Sequence, residues 1–277
     1  MHRSFLVYRN FRHLKSVVLI CIMAVMAYMW HNPVDGPNGG TWLGYIYGTL
    51  GAAIIGLLMW YGVRKRQFNS TQGTVQAWLS AHVYLGTSLL VIATLHTGFQ
   101  FGLNIHTLAY ILMVFVIISG FWGIYAYIRY PTLMTRNRDS TTRAALLNEI
   151  DDLDRECLTL ADRIDKEAYD IFLDVIEKTT VGGTISEQLR PDLVLRAHDS
   201  AQHAFTNKLS RTPDAEQVRT VRALIEQTRV RASLVVRLKQ DVQYQGLLEI
   251  WLYFHVPLSF ALLAALIAHI ISVFLYW

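Results

Sequence analysis

Apolar residues gather along this chain in five runs, at about 16–30, 42–62, 75–99, 107–128 and 248–276. Four of them reach the roughly 20 residues that an α-helix needs to cross a bilayer. The first falls short, and with the basic stretch from Arg3 to Lys15 before it, it has the outline of a secretory leader. No good small-x-small cleavage site follows, so the expectation is an uncleaved first helix. Between the fourth and fifth runs the pattern changes. Apolar residues there recur at steps of mostly four and three: Leu146, Ile150, Leu153, Cys157, Leu160, Ile164, Ala168, Ile171 and Val175, then Val218, Val221, Ile225, Ala232, Val235, Leu238 and Val242. That period predicts two long amphipathic helices. Gly182, Gly183 and Pro191 end the first, a shorter helix over about 192–209 stops before Pro213, and the second continues without a break into the last span.

The expected architecture is an all-α membrane protein with five transmembrane helices. Residues 1–130 hold helices 1 to 4, residues 131–245 form an inserted antiparallel helical hairpin with one extra helix, and residues 246–277 hold helix 5. Composition agrees, because 53% hydrophobic and 17% charged residues are too apolar a mixture for an ordinary soluble chain of 277 residues.

Charge adds a direction. Arg3, Arg9, Arg12 and Lys15 precede the first run, Arg64, Lys65 and Arg66 separate the second from the third, and Arg129, Arg136 and Arg138 follow the fourth; segments 31–41 and 100–106 contain neither lysine nor arginine. By the positive-inside rule the N-terminus and residues 131–245 face the cytoplasm of a bacterial-type inner membrane, and the chain ends on the outer side. Trp30, Trp42, Trp60, Tyr61, Trp78, Trp251 and Trp277 suit the interfacial belts. The insertion carries 19 of the 21 acidic and 17 of the 25 basic residues. It reads as a solvated domain, without the one-sided basic face that nucleic acid would select.

Within the apolar runs one spacing occurs twice. His82 and His96 lie fourteen residues apart in the third run, and His255 and His269 lie fourteen apart in the fifth. Fourteen helical residues make nearly four turns, so each pair shares a face and is spread over roughly 21 Å of axis. Helices 3 and 5 run parallel in the five-span topology, which levels His82 with His255 and His96 with His269. Two neutral imidazoles per level fill the axial positions of a haem iron and leave a four-coordinate zinc half empty. The competing readings are histidines that only hydrogen-bond inside a bundle, or that relay protons.

Only Asp35 and Glu249 are acids outside the insertion. Glu249 precedes His255 by six residues at the mouth of helix 5, on a different helix face, where an ionisable side chain is a functional candidate; its plainer role is an interfacial cap paired with Arg64 or Arg66. His31 and His106 bound the outer loops, as loop caps or as the nearest cationic groups to the propionates of an outer haem. His198 and His203, five apart, read as surface residues.

With these residues in view, helices 2 to 5 (42–130 and 246–276) resemble the di-haem four-helix core of membrane cytochromes b, and more loosely the ferric-reductase-like and dehydrogenase-anchor cytochromes. Gly48 and Gly62, also fourteen apart in YGTLGAAIIGLLMWYG, resemble the paired glycines with which that family brings a porphyrin close to a non-ligand helix; Gly120 and Gly123 do not repeat the pattern. The chain lacks the Pro-Glu-Trp-Tyr quinol motif, a glycine-rich dinucleotide fingerprint and Cys-x-x-Cys-His, and Cys21 and Cys157 are too few for an iron–sulfur cluster. The resemblance implies two haem b groups, held by His82 with His255 and His96 with His269, in the membrane subunit of a redox complex. That subunit would carry electrons across the bilayer between a quinone pool and a partner of iron–sulfur, molybdopterin or cytochrome c type, with Glu249 exchanging the quinone proton. Two other functions stay open: a self-contained transmembrane reductase of metal ions or small oxidants, and a non-redox helical scaffold or signalling protein. For the insertion the alternatives are a connecting stalk and a platform that docks a redox partner or a second copy of the chain.

Overall fold

A computed structural model describes residues 5–34, 36–66, 73–138, 141–179, 192–211 and 214–275, and among these the regular structure is all helical, without strands. Arg3, Asp35, Gly182, Gly183, Pro191, Pro213, Trp277 and the side chains of Lys65 and Arg66 lie outside the described residues. After a 3-10 turn at Phe5–Val7 come α1 (Arg12–Trp30), α2 (Trp42–Arg66), α3 (Val75–Thr97), α4 (Ile105–Asn137), α5 (Arg143–Ile164), α6 (Lys166–Lys178), α7 (Asp192–Arg211) and α8 (Ala215–Leu275). Five of these, α1 to α4 and α8, are long and apolar enough to cross a membrane. Their outer faces expose Leu19, Met23, Met26, Phe115, Phe254, Phe260 and Phe274. Water would penalise such surfaces and lipid does not, which makes this a multi-pass membrane protein.

The chain divides into two compact units, one of residues 1–125 with 251–277 and one of residues 126–250. In the first, Leu43, Tyr47, Ile54 and Ile55 of α2 meet Leu89, Ile92 and Leu95 of α3, joined by Ala24 of α1, Met113 of α4 and Leu262 of α8. Polar contacts fix the neighbours. The Tyr47 hydroxyl donates to the Ala24 carbonyl at 2.6 Å, Tyr84 to the Leu6 carbonyl at 2.9 Å, and Thr94 pairs with the Tyr110 hydroxyl at 2.9 Å. Thr74 caps α3 by accepting from the Ala77 amide. Gly98 ends that helix at φ +58°, and a Cβ there would lie 2.0 Å from the Pro37 carbonyl oxygen, so only glycine fits.

In the second unit α5 runs antiparallel to the N-terminal part of α8, since Asp154 meets Arg231, Glu156 meets Gln227, and Leu146 clusters with Leu238. Cys157, Ala161, Ala168, Phe172, Val175, Ala201, Phe205 and Leu224 form its main core. The continuous expected helix over 146–175 is two. Asp165 breaks it in an extended conformation and caps α6, its carboxylate accepting from the Ala168 amide at 2.9 Å. Burial pushes the Asp165 pKa upward, but the Lys208 ammonium at 2.6 Å and the Ala168 N–H outweigh it and hold the carboxyl below its usual range. His198, expected at the surface, is buried: its Nε2 accepts from Arg231, whose guanidinium also binds Asp154 and donates to Thr179 at 3.0 Å. One helix overruns its expected end, because α4 passes through Pro131 to Asn137, and α8 runs through Pro257 without a break, as its expected span does. Each proline removes one backbone bond, which the long helical flanks tolerate.

The Arg231–Asp154 pair is 3% and 17% exposed, so removing one partner strands a charge in the core. Asp154→Ala is expected to destabilise the second unit by about 3–5 kcal/mol, and Asp154→Leu with Arg231→Met to recover part of that loss. Thermal unfolding in detergent followed by circular dichroism measures both. Alkylation of Cys157 gives a local readout. Its thiol is fully buried, and burial foremost, then the nearby Asp154 charge, pushes its pKa up to about 12, so it reacts only when the unit opens.

Candidate functional site

Four imidazoles in apolar helices pose a hydrogen-bonding problem before they pose a functional one, because lipid-facing helices offer no water to satisfy ring nitrogens. At one end of the membrane unit, His96 lies in the last turn of α3 and directs Nδ1 at the Gly44 carbonyl of α2, 2.8 Å away. A carbonyl only accepts, so this nitrogen carries the proton and Nε2 keeps its lone pair. The ring is wrapped by glycines. A Cβ at Gly48 would stand 2.8 Å from the ring's Cε1, and one at Gly39 would stand 3.3 Å from the same atom. Gly62, expected to repeat the role of Gly48, is exposed with nothing within 4 Å of its Cβ position.

His269 of α8 meets this cluster. Its ring centroid is 6.0 Å from that of His96, with the planes at 87°. A metal between these rings would be held by the open Nε2 of His96 and by His269. His269 Nδ1 also faces His106 Nδ1 of α4 in a short hydrogen bond, with ring centroids 4.5 Å apart. Nδ1 of His106 is therefore engaged with α8, while its ring stays exposed. The capping of α4 falls to Asn104, whose side-chain oxygen accepts from the Thr107 amide. His31, with its backbone N–H bonded to the Ala27 and Tyr28 carbonyls, closes α1, and its ring stands edge-on to Trp42.

At the other level, His255 of α8 has Nδ1 2.7 Å from Ser119 Oγ on α4. That hydroxyl has one hydrogen and also lies 2.8 Å from the Val116 carbonyl; with the hydrogen given to the carbonyl, Ser119 accepts from His255 Nδ1 and Nε2 is left open. Trp251 braces the pair. Its indole N–H donates to the Ser119 carbonyl at 2.7 Å and its ring lies 5.2 Å from His255. A Cβ at Gly123 would come within 2.1 Å of that indole, so the α4 glycine makes room for Trp251, whose role is internal as well as interfacial. His82 differs. Its Nδ1 is buried without a hydrogen-bond partner, the ring is hydrogen-bonded to the Leu58 backbone of α2, and it lies 5.1 Å from Tyr61. Among the described residues no ring contact joins His82 to His255.

The spacing placed the four histidines at two levels of the bundle but did not reveal Gly44, His106, Ser119 or Trp251. One signal was present. His106 and Ser119 are thirteen residues apart on α4, and on an antiparallel neighbour that nearly matches the fourteen between His255 and His269. Glu249 lies in the other unit, exposed, and its carboxylate accepts from the Gln245 amide at 3.0 Å. Arg64 is engaged elsewhere, donating to the Gly73 carbonyl at 2.7 Å. Among the described residues no group of three or more His, Cys, Asp or Glu has metal-holding geometry. No family model, curated protein or solved structure matches the chain.

Adding a methyl group separates the glycines. Gly48→Ala drives a Cβ into His96 and is expected to cost about 1–3 kcal/mol. Gly123→Ala, pressed against an indole ring, should cost at least as much. Gly62→Ala should be neutral or stabilise by about 0.5–1 kcal/mol through helix propensity. Thermal midpoints in one detergent rank the three, and equal effects would show that the histidine cradle is not tight.

Proposed function

We propose that the membrane unit is a di-haem cytochrome b, with His96 and His269 as the axial pair of one haem and His82 and His255 as that of the other. The observation that carries this reading is the meeting of His96 with His269, in which His96 gives its Nδ1 proton to the Gly44 carbonyl and keeps Nε2 open. Histidines that served only as bundle hydrogen-bonders would have no need to keep the outward nitrogen bare. When bound, haem iron supplies reversible one-electron transfer. The chain's own residues ligate it, exclude water from it and set the two levels roughly 21 Å apart along the helices. Gly39 and Gly48 give up side-chain volume beside one ligand, and Ser119 with Trp251 holds the plane of another.

In this reading the protein is the membrane subunit of a redox complex. It sits in a bacterial-type inner membrane with its N-terminus and residues 131–245 in the cytoplasm, and it carries electrons between the quinone pool and a partner subunit. The orientation follows from the distribution of lysine and arginine. Glu249, hydrogen-bonded and open to solvent, would exchange the proton that quinone chemistry requires.

Purified protein is expected to give two haems per chain in a pyridine haemochrome assay, and His96→Ala or His269→Ala to remove one of them selectively. Spectra of those variants matching the wild type would sink the ligand assignment, and a protein without haem would leave a helical scaffold. Where both haems remain bound, Glu249→Gln should slow quinol-driven reduction and change its pH dependence. An unchanged rate and profile would remove Glu249 from the site.

A further inference from the structure

The contact between His106 and His269 is not required by any ligand spacing. Two imidazoles meeting through Nδ1 share a single hydrogen: one ring donates N–H and the other accepts with its lone pair. If His106 donated, His269 would carry its proton on Nε2 and could not ligate a metal. If His269 donates, its Nε2 is open and His106 is the acceptor. His106 is well placed for that duty. It sits in the first turn of α4, which Asn104 caps and Thr107 ties back to the Gly102 amide at 3.1 Å, and its ring stands at 88° to that of His269.

We propose that His106 is a positioning residue for His269, accepting its Nδ1 proton and so fixing the tautomer and ring plane in which Nε2 is free to bind iron opposite His96. The proposal rests on the di-haem reading and adds to it a residue that touches no iron. An acceptor on Nδ1 orients a ligating imidazole and raises its basicity. Stronger donation favours the ferric state, so loss of the acceptor should raise the midpoint potential of that haem. His106 thereby does for His269 what Ser119 does for His255 and the Gly44 carbonyl for His96.

The test compares His106→Leu, which fills space without accepting, with His106→Gln, whose amide oxygen restores an acceptor. The haem in question is the one lost in His269→Ala. For His106→Leu the expected result is about 10–100-fold weaker retention of that haem, a raised midpoint potential and an altered low-spin electron paramagnetic resonance signal, with the other haem unaffected. His106→Gln should return all three toward wild type. A leucine variant with the wild-type potential and resonance signal would overturn the proposal, as would leucine and glutamine variants shifted alike, which would make the contact one of packing alone. If the leucine variant loses both haems, the glutamine variant decides: two haems with the wild-type signature support the role, and loss of both overturns it. Failure of the underlying reading looks different, because wild-type protein would then carry fewer than two haems or His269→Ala would keep both.

Discussion

An imidazole placed among apolar helices cannot leave its nitrogens to solvent, and the membrane unit is arranged around that constraint. His96, His255 and His269 each commit Nδ1 to a neighbouring helix, by way of the Gly44 carbonyl, the Ser119 hydroxyl and the His106 ring. Each bond requires close approach. The chain around the start of α2 can approach His96 because Gly39 and Gly48 present no side chains there, and Gly123 of α4 makes room for the Trp251 indole that donates to the Ser119 carbonyl beside His255. Small residues in membrane helices commonly serve packing alone. Here the same economy of volume decides which nitrogen of a histidine stays open.

The pattern of apolar runs made the five membrane-crossing helices legible, with α2 and α3 starting at Trp42 and Val75 as expected. The repeated fourteen-residue interval made the meeting of His96 with His269 legible as well, since identical spacing on two helices is a long-range statement written in local terms. What stayed hidden depends on partners distant in sequence. Nothing local in Ser119 tells that its hydroxyl faces His255, 136 positions away, or in His106 that it meets His269 across 163. Gly48 and Gly62 looked equivalent by interval, yet only Gly48 faces a histidine, because the N-terminal end of α2 packs against α3 where Gly62 is left in the open.

The second unit shows the same limit in reverse. Its apolar periodicity was plain, but the break at Asp165 was not, because an aspartate inside a continuous heptad-like seam reads as one polar position until its carboxylate is seen capping the next helix. His198 looked like a surface residue because its neighbours in sequence are polar. In the fold it completes the coordination of a buried arginine, with Asp154 supplying the charge, Thr179 a second acceptor, and the Phe172 ring lying 5.7 Å below the guanidinium. Such a network contributes little net stability over an apolar core. Its directional bonds fix how α5, α6, α7 and α8 pack in a way that leucines alone would not.

The two histidine levels are also unlike each other. At the His96 and His269 level both rings are held through Nδ1 and stand 6.0 Å apart. At the other level only His255 is so held, while His82 rests against Tyr61 with Nδ1 buried and unpartnered. A buried polar nitrogen without a partner carries a desolvation penalty of about 1–3 kcal/mol, which a structural histidine would relieve by rotating or by being replaced with an apolar residue. His82 keeps one bond, from its ring to the Leu58 backbone, so the two ends of the bundle differ in how many ring nitrogens neighbouring helices satisfy.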